Sequence, residues 1–326
     1  MDPRTEPPPG LAYHRLQRAG RPGWWWPLIG AATLLVAMLV VAPLVLGFVF
    51  VVYFLATGES VSHGLDRLSD LDHVTPAELA YINLSLAAAI PVAIVLTRLL
   101  HGLRPGWLAS VLGRMRWRWL LVCLGLAFIT LVVTVAVSAA LPDTGDGSQV
   151  GGTVNSFTST MRDFVLVVVL LTPLQAAGEE YLFRGYLTQA FGGLFRSPVV
   201  ARVVAVLVPA VLFALAHGAQ DVPLFFDRLA FGIVAGILVI LTGGLEAGIA
   251  MHVLNNFLAF GLALAFGDIS ETLTSTTGSW WNIPVTLTQS LVFLGLTLWA
   301  ARRRGVATAT GTEDGVPDFV SGAPRL

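Results

Sequence analysis

The sequence predicts an all-α, polytopic membrane bundle of about eight transmembrane helices enclosing a polar cavity. Three observations predict it. The 326 residues are 55% hydrophobic and only 12% charged, where soluble domains carry about 25% charged residues. The apolar residues fall in eight stretches of the roughly 20 residues a bilayer crossing requires. A charged cluster, Glu179-Glu180-Tyr181-Leu182-Phe183-Arg184, lies inside one of those stretches. Each ionisable group at membrane depth costs roughly 2.5 to 3.5 kcal/mol even on the lenient insertion scale, so by default such a cluster marks a functional site.

The expected spans run in order over residues 27–56, 78–100, 119–141, 163–190, 199–217, 224–242, 245–266 and 283–301. Their connections alternate in charge. Arg15, Arg18 and Arg21 precede the first, Arg104, Arg114, Arg116 and Arg118 follow the second, Arg196 and Arg202 follow the fourth, and Arg302 to Arg304 follow the eighth. The other connections carry Asp66, Asp70, Asp72, Asp143, Asp146, Asp268 and Glu271. The positive-inside rule then puts both termini in the cytoplasm. Trp24 to Trp26, Trp117, Trp119, Trp280 and Trp281 sit at span edges, as interfacial anchors do.

The domain organisation follows. Residues 1–23 are Pro- and Arg-rich and are expected to form a disordered tail, residues 24–306 one membrane-embedded domain, and residues 307–326 a second disordered tail. The apolar run after Trp24 is too long for a signal-peptide core and is expected to be a retained first span. The acidic stretch 60–76 is expected to be a solvated loop. No internal repeat is evident, which gives no support to an inverted-repeat transporter.

Composition narrows the chemistry. All 19 basic residues are arginine, which excludes lysine Schiff-base, P-loop and Ser-Lys mechanisms. The single cysteine, Cys123, lies in an apolar run, so no disulfide framework or thiolate metal site is available. No basic nucleic-acid module is present. Gly-x-Ser-x-Gly and His-Glu-x-x-His are both absent.

On a helix Glu180 and Arg184, four apart, share a face and can pair, while Glu179 is turned about 100° away. One carboxylate is thereby neutralised and the other left for a partner on a different helix. Few partners exist. His217 closes Phe213-Ala214-Leu215-Ala216-His217, and His252 stands four residues before Asn256. Glu179 and His217 could polarise a water while His252 and Asn256 donate to an oxyanion. Each of these residues also has a bland reading: an intrahelical ion pair for Glu180 and Arg184, interhelical hydrogen bonding for the histidines and Asn256, and plain packing for Phe213. Asp227, Arg228 and Glu246 are expected to be interfacial or structural. One tension stands out. Glu179 falls toward the cytoplasmic side of its span, whereas His217 ends a span that exits outside; a break at Pro209 or a surface run over residues 191–202 is expected to bring them together.

Glu-Glu-x-x-x-Arg (Glu179, Glu180, Arg184), Phe-x-x-x-His (Phe213, His217) and His-x-x-x-Asn (His252, Asn256), on successive apolar segments, resemble the three motifs of the CPBP family of CAAX prenyl endopeptidases and their bacterial relatives, which include bacteriocin-processing and self-immunity (Abi) proteins. The motif-bearing core would be about residues 163–266. The resemblance implies an intramembrane endopeptidase in which Glu179 activates water with help from His217, Glu180 and Arg184 order the site, and His252 and Asn256 stabilise the tetrahedral intermediate. The implied partners are the bilayer and a membrane-associated peptide or protein, and the implied location is a bacterial plasma membrane. No cofactor is favoured; if zinc is used, its ligands would be Glu179, His217 and His252. Water is expected to enter from the cytoplasmic side. A proton-coupled transporter and a non-catalytic scaffold or immunity protein remain open, as do peptide maturation, regulatory cleavage and toxin immunity as the purpose of cleavage.

Overall fold

A computed structural model describes residues 6–138, 153–218 and 220–312. Among them are eight helices long and apolar enough to cross a membrane, and no strand. They are α1 (Trp25–Thr57), α2 (Pro76–Leu99), α3 (Trp117–Ser138), α4 (Ser159–Leu194), α5 (Pro198–Ala216), α6 (Val222–Thr242), α7 (Glu246–Phe266) and α8 (Asn282–Arg304). All eight expected spans are present, and the chain is an integral membrane protein of the all-α bundle class.

Local chemistry sets the boundaries. Thr75 and Glu78 form a capping box with Pro76 in the first turn of α2. Asp221 accepts from the Leu224 amide at the start of α6, and Gly243 ends that helix with φ 67°. Asp227 to Thr242 then run without a break beneath the cavity described below. In α1, five π-helical residues (Ala37–Val41) end two residues before Pro43, whose ring nitrogen cannot donate into the ladder.

The core is built around α6 and α7. Helix α7 packs on α3, α4 and α6; α6 packs on α5 and α8; α2 lies along α4; and α1 stays at the edge. Two glycines permit the close approaches. A Cβ on Gly178 of α4 would stand 2.3 Å from the Leu86 carbonyl oxygen of α2, and one on Gly248 of α7 would stand 2.5 Å from Glu180 Oε2.

The tails depart from expectation. Residues 6–23 are ordered, with a 3₁₀ helix over Tyr13–Ala19 whose Tyr13 and Leu16 are fully buried. Residues 305–312 return to meet them: the Gly10 amide donates to the Thr310 carbonyl (2.7 Å) and the Thr310 amide to the Leu11 carbonyl (3.0 Å). The Tyr13 hydroxyl donates to the Leu108 carbonyl. Together these segments form a collar across the arginine-rich end of the bundle. Average composition hid it, because its few apolar residues are spaced to fill one cleft while the remainder bond to loop backbone. Residues 1–5 and 313–326 lie outside the described residues.

The acidic stretch is likewise structured, with a helix at Val61–Leu68 and Arg67 bridging Glu59 (3.3 Å) and the buried Glu78 (2.8 Å). At the collar end, Arg116 holds Glu246 through Nη2 (2.8 Å) and Nε (2.9 Å) and also donates to the Thr242 carbonyl. Glu246 is therefore a structural ion-pair partner.

Candidate active site

Helix α4 is the element that builds the site. It continues for 36 residues, about 54 Å at 1.5 Å per residue, against about 30 Å of hydrocarbon. Its α-helical register runs through Pro173 to Glu180, changes to π over Tyr181–Leu187, and resumes at Thr188. The Thr188 hydroxyl donates to the Phe183 carbonyl (3.1 Å), which also accepts from the Thr188 amide, and to the Ala205 carbonyl of α5 (3.1 Å).

This length resolves the depth of His217. Glu179 lies about 15 residues, or about 22 Å, from the collar end of α4, and His217 about 19 residues, or about 28 Å, from the start of α5. The difference is within side-chain reach. Helix α5 runs without interruption from Pro198 to Ala216 despite Pro209, and it starts three residues after α4 ends. Neither a break nor a surface run is used. The expected span for α4 ended at residue 190 rather than at Leu194, which accounts for about 6 Å of the expected mismatch.

Glu179, Phe213, His217, His252 and Asn256 line one cavity of about 400 Å³. Glu180 and Arg184 lie behind it, fully buried, with Arg184 Nη1 2.8 Å from Glu180 Oε1. His252 sits between the two carboxylates, its Nδ1 2.9 Å from Glu180 Oε1 and its Nε2 3.3 Å from Glu179 Oε2. Glu179 thus has its partner on a different helix, as expected, whereas one expectation changes: His252 is occupied by carboxylates rather than turned with Asn256 toward an oxyanion.

Phe213 does more than fill space. The Arg184 guanidinium lies 4.3 Å from the centre of its ring, a cation–π contact that covers a charge whose Nε and Nη2 have no hydrogen-bond partner among the described residues. The rings of His217 (4.7 Å) and His252 (5.8 Å) meet Phe213 edge-on, so one aromatic ring spaces the two histidines and the arginine. His217 Nδ1 is 2.7 Å from the Phe213 carbonyl. A carbonyl only accepts, so Nδ1 carries the proton and Nε2 keeps its lone pair.

Sequence reasoning missed the amide relay beside the carboxylates. Gln289 of α8 donates to Asn255 (3.2 Å), Asn255 donates to Asn256 (3.4 Å), and Asn256 Nδ2 donates to Gln175 Oε1 (2.8 Å). Gln175 stands one turn before Glu179, so its position on the Glu179 face was the available signal. Asp227 and Arg228, expected at the interface, line the cavity, with Arg228 donating to Gln220 (2.8 Å).

Thr272, Leu273 and Thr286 also line the cavity. These lie beside the 266–282 connection, at the opposite end of the bundle from the collar. At the arginine-rich end, the side from which water was expected to enter, Tyr13 and Leu16 of the collar pack with Ala176, Val239, Leu245 and Ile249.

Zinc finds no ready ligand set. Among the described residues no group of three or more His, Cys, Asp and Glu side chains stands in metal-holding geometry, and both ring nitrogens of His252 face carboxylates. No step is therefore derived through a metal.

An eight-helix membrane bundle with Glu, His and Asn converging on one buried cavity defines the class: an integral membrane protein with an intramembrane polar site. Residues 161–258 match the family model described as type II CAAX prenyl endopeptidase Rce1-like, in keeping with the CPBP resemblance, and that segment contains all three motifs. A curated protein of Bacillus subtilis (strain 168), described as uncharacterized protein YyaK, is 33% identical over 142 residues, covering 40% of this chain and 46% of that protein. The alignment thus spans about half the length of that relative. No solved structure matches the chain.

Proposed function

We propose that the chain is an intramembrane endopeptidase that hydrolyses a peptide bond with a water held between Glu179 and His217. The observation carrying this reading is that Glu179 of α4 and His217 at the end of α5 line one cavity, with His217 Nε2 left as an acceptor by the bond its Nδ1 makes to Phe213. The water oxygen attacks the substrate carbonyl carbon and its proton passes to Glu179. The carbonyl oxygen becomes an oxyanion, for which Asn256 keeps one amide hydrogen beyond the one engaged by Gln175. The carbon–nitrogen bond then breaks and the proton is delivered to the leaving amine.

His252 takes a positioning role. Its two ring nitrogens face Glu180 (2.9 Å) and Glu179 (3.3 Å), so it holds the two carboxylates in register while Arg184 pairs with Glu180 (2.8 Å). The apolar lining from Ile82, Leu86, Phe231 and Phe260 fits a membrane-associated peptide as substrate. With the arginine-rich end in the cytoplasm of a bacterial cell, the substrate would arrive from the opposite face.

Glu179→Gln and His217→Ala are each expected to lower cleavage by about two to four orders of magnitude, with precursors accumulating in membrane proteomes of the Glu179→Gln strain. Cleavage retained in either variant would remove the mechanism. Excess chelator is expected to leave cleavage unchanged; inhibition reversed by zinc would replace the metal-free scheme.

A further inference from the structure

A second cavity, of about 350 Å³, lies at the collar end where α1 and α4 reach the membrane surface. Its lining includes Arg18, Arg21, Arg196, His101, Gln17 and Trp24, and no acidic residue among the described residues. We propose that it is a binding site for a phosphate group on a hydroxyl-bearing anion, supplied either by a lipid headgroup or by a soluble phosphate. The reading is independent of the peptidase activity.

Charge and position both support it. Among the described residues the contacts at this rim are to backbone and an aromatic ring: the Arg18 guanidinium donates to the Phe195 carbonyl (3.2 Å), the neighbouring Arg15 to the Arg196 carbonyl (3.4 Å) and the Arg21 amide to the His101 carbonyl (2.9 Å), while the Arg21 guanidinium lies 5.6 Å from the centre of the Trp26 ring. None of these carbonyl contacts neutralises an arginine, and guanidinium is the group best matched to phosphate oxygens. Gly193 has no side chain to crowd the floor; a Cβ there would first meet Arg18 Cγ at 3.6 Å.

The second observation is Gln17. It is 4% exposed and donates through Nε2 to the Tyr186 carbonyl (3.3 Å), which fixes the orientation of its amide. Its Oε1 then has no hydrogen-bond partner among the described residues. An acceptor beside three arginines calls for a ligand that brings a hydroxyl as well as a negative charge. A phosphoglycerol headgroup carries both. The first residues of α1, with Trp24 exposed in the manner of an interfacial anchor, set the cavity at headgroup depth, where basic pockets between helices meet anionic lipid.

The full chain would be placed in nanodiscs of phosphatidylcholine with increasing phosphatidylglycerol, and its thermal midpoint and retained lipid measured. Parallel arms in pure phosphatidylcholine would receive inorganic phosphate or glycerol 3-phosphate. The expected result is a midpoint that rises with phosphatidylglycerol and a retention roughly fivefold weaker for each pocket arginine removed. Arg21→Gln/Arg196→Gln keeps the Arg18 bond to Phe195 and is expected to abolish the rise. Single Arg196→Gln serves should the pair fail to fold. Arg302→Gln/Arg303→Gln/Arg304→Gln, which removes more charge from the same end outside the pocket, is expected to keep the rise. A rise with the soluble phosphates alone would support the site and assign it to a free anion. No response to any of these anions, or an equal response in the pocket double variant, would overturn the proposal.

Discussion

At the scale of single residues, the amide relay decides how well Asn256 is aimed. Its Oδ1 accepts from Asn255 and its Nδ2 donates to Gln175, so the amide orientation is fixed from both sides and one hydrogen remains for the cavity. Asn256→Ala is expected to lower kcat by roughly two to three orders of magnitude, the usual cost of losing an oxyanion donor. Gln175→Ala leaves the donor in place but unaimed, and is expected to lower kcat by less, with KM little changed. Because the two act as a unit, the double variant should be no slower than Asn256→Ala alone; steady-state kinetics on all three would show additive losses if Gln175 acted independently. Glu179, His217 and His252 were legible as individuals because ionisable groups in apolar runs are costly, and Asn256 by its spacing of four from His252. Their pairings were not: which nitrogen of His252 meets which carboxylate depends on the relative rotation of α4 and α7, and Gln175 and Gln289 carry no charge to single them out.

At the scale of elements, hydropathy located all eight helices but could not set the length of α4, because the register change at Tyr181–Leu187 and the short helical extension to Leu194 lie in a stretch mixing Arg184, Gln189 and glycines with apolar residues. That extension is what brings Glu179 within about 6 Å of the depth of His217. The contact of α2 with α4 is equally exacting. Gly178→Ala would drive a methyl to 2.3 Å from the Leu86 carbonyl oxygen, a backbone atom that cannot rotate away, and is expected to cost about 1 to 3 kcal/mol. Gly125→Ala in α3, where a Cβ meets nothing within 4 Å, is expected to be neutral or to stabilise by about 0.5 to 1 kcal/mol through reduced backbone entropy. Thermal unfolding of the two variants in one detergent would test the contrast, and equal midpoints would show that α2 and α4 are not locked at Gly178.

At the scale of the whole molecule, the collar makes the fold sensitive to acid. His14 and His101 lie outside the spans, at 2% and 1% exposure. Burial lowers each imidazole from 6.5 to about 4, with Arg202 and Arg15 adding to the effect at His14 and Arg21 at His101. The unfolded chain therefore binds a proton at each site near pH 6.5, while the folded collar holds both rings neutral until about pH 4. Between those values the unfolded state carries more protons, so stability falls as pH falls, by about 1.4 kcal/mol per pH unit for each ring. Above pH 6.5 the two contribute no slope. His101 Nε2 is 2.6 Å from the Tyr186 hydroxyl, and Tyr186 lies in the π-helical turn that carries Arg184, so loosening the collar reaches the site's own scaffold. His101→Gln, which keeps a polar partner for Tyr186 and removes the titration, is expected to reduce the acid slope by about half relative to the unaltered chain. Thermal midpoints measured from pH 4 to pH 8 would decide it: an unchanged slope in His101→Gln would mean that the acid sensitivity of the fold arises elsewhere.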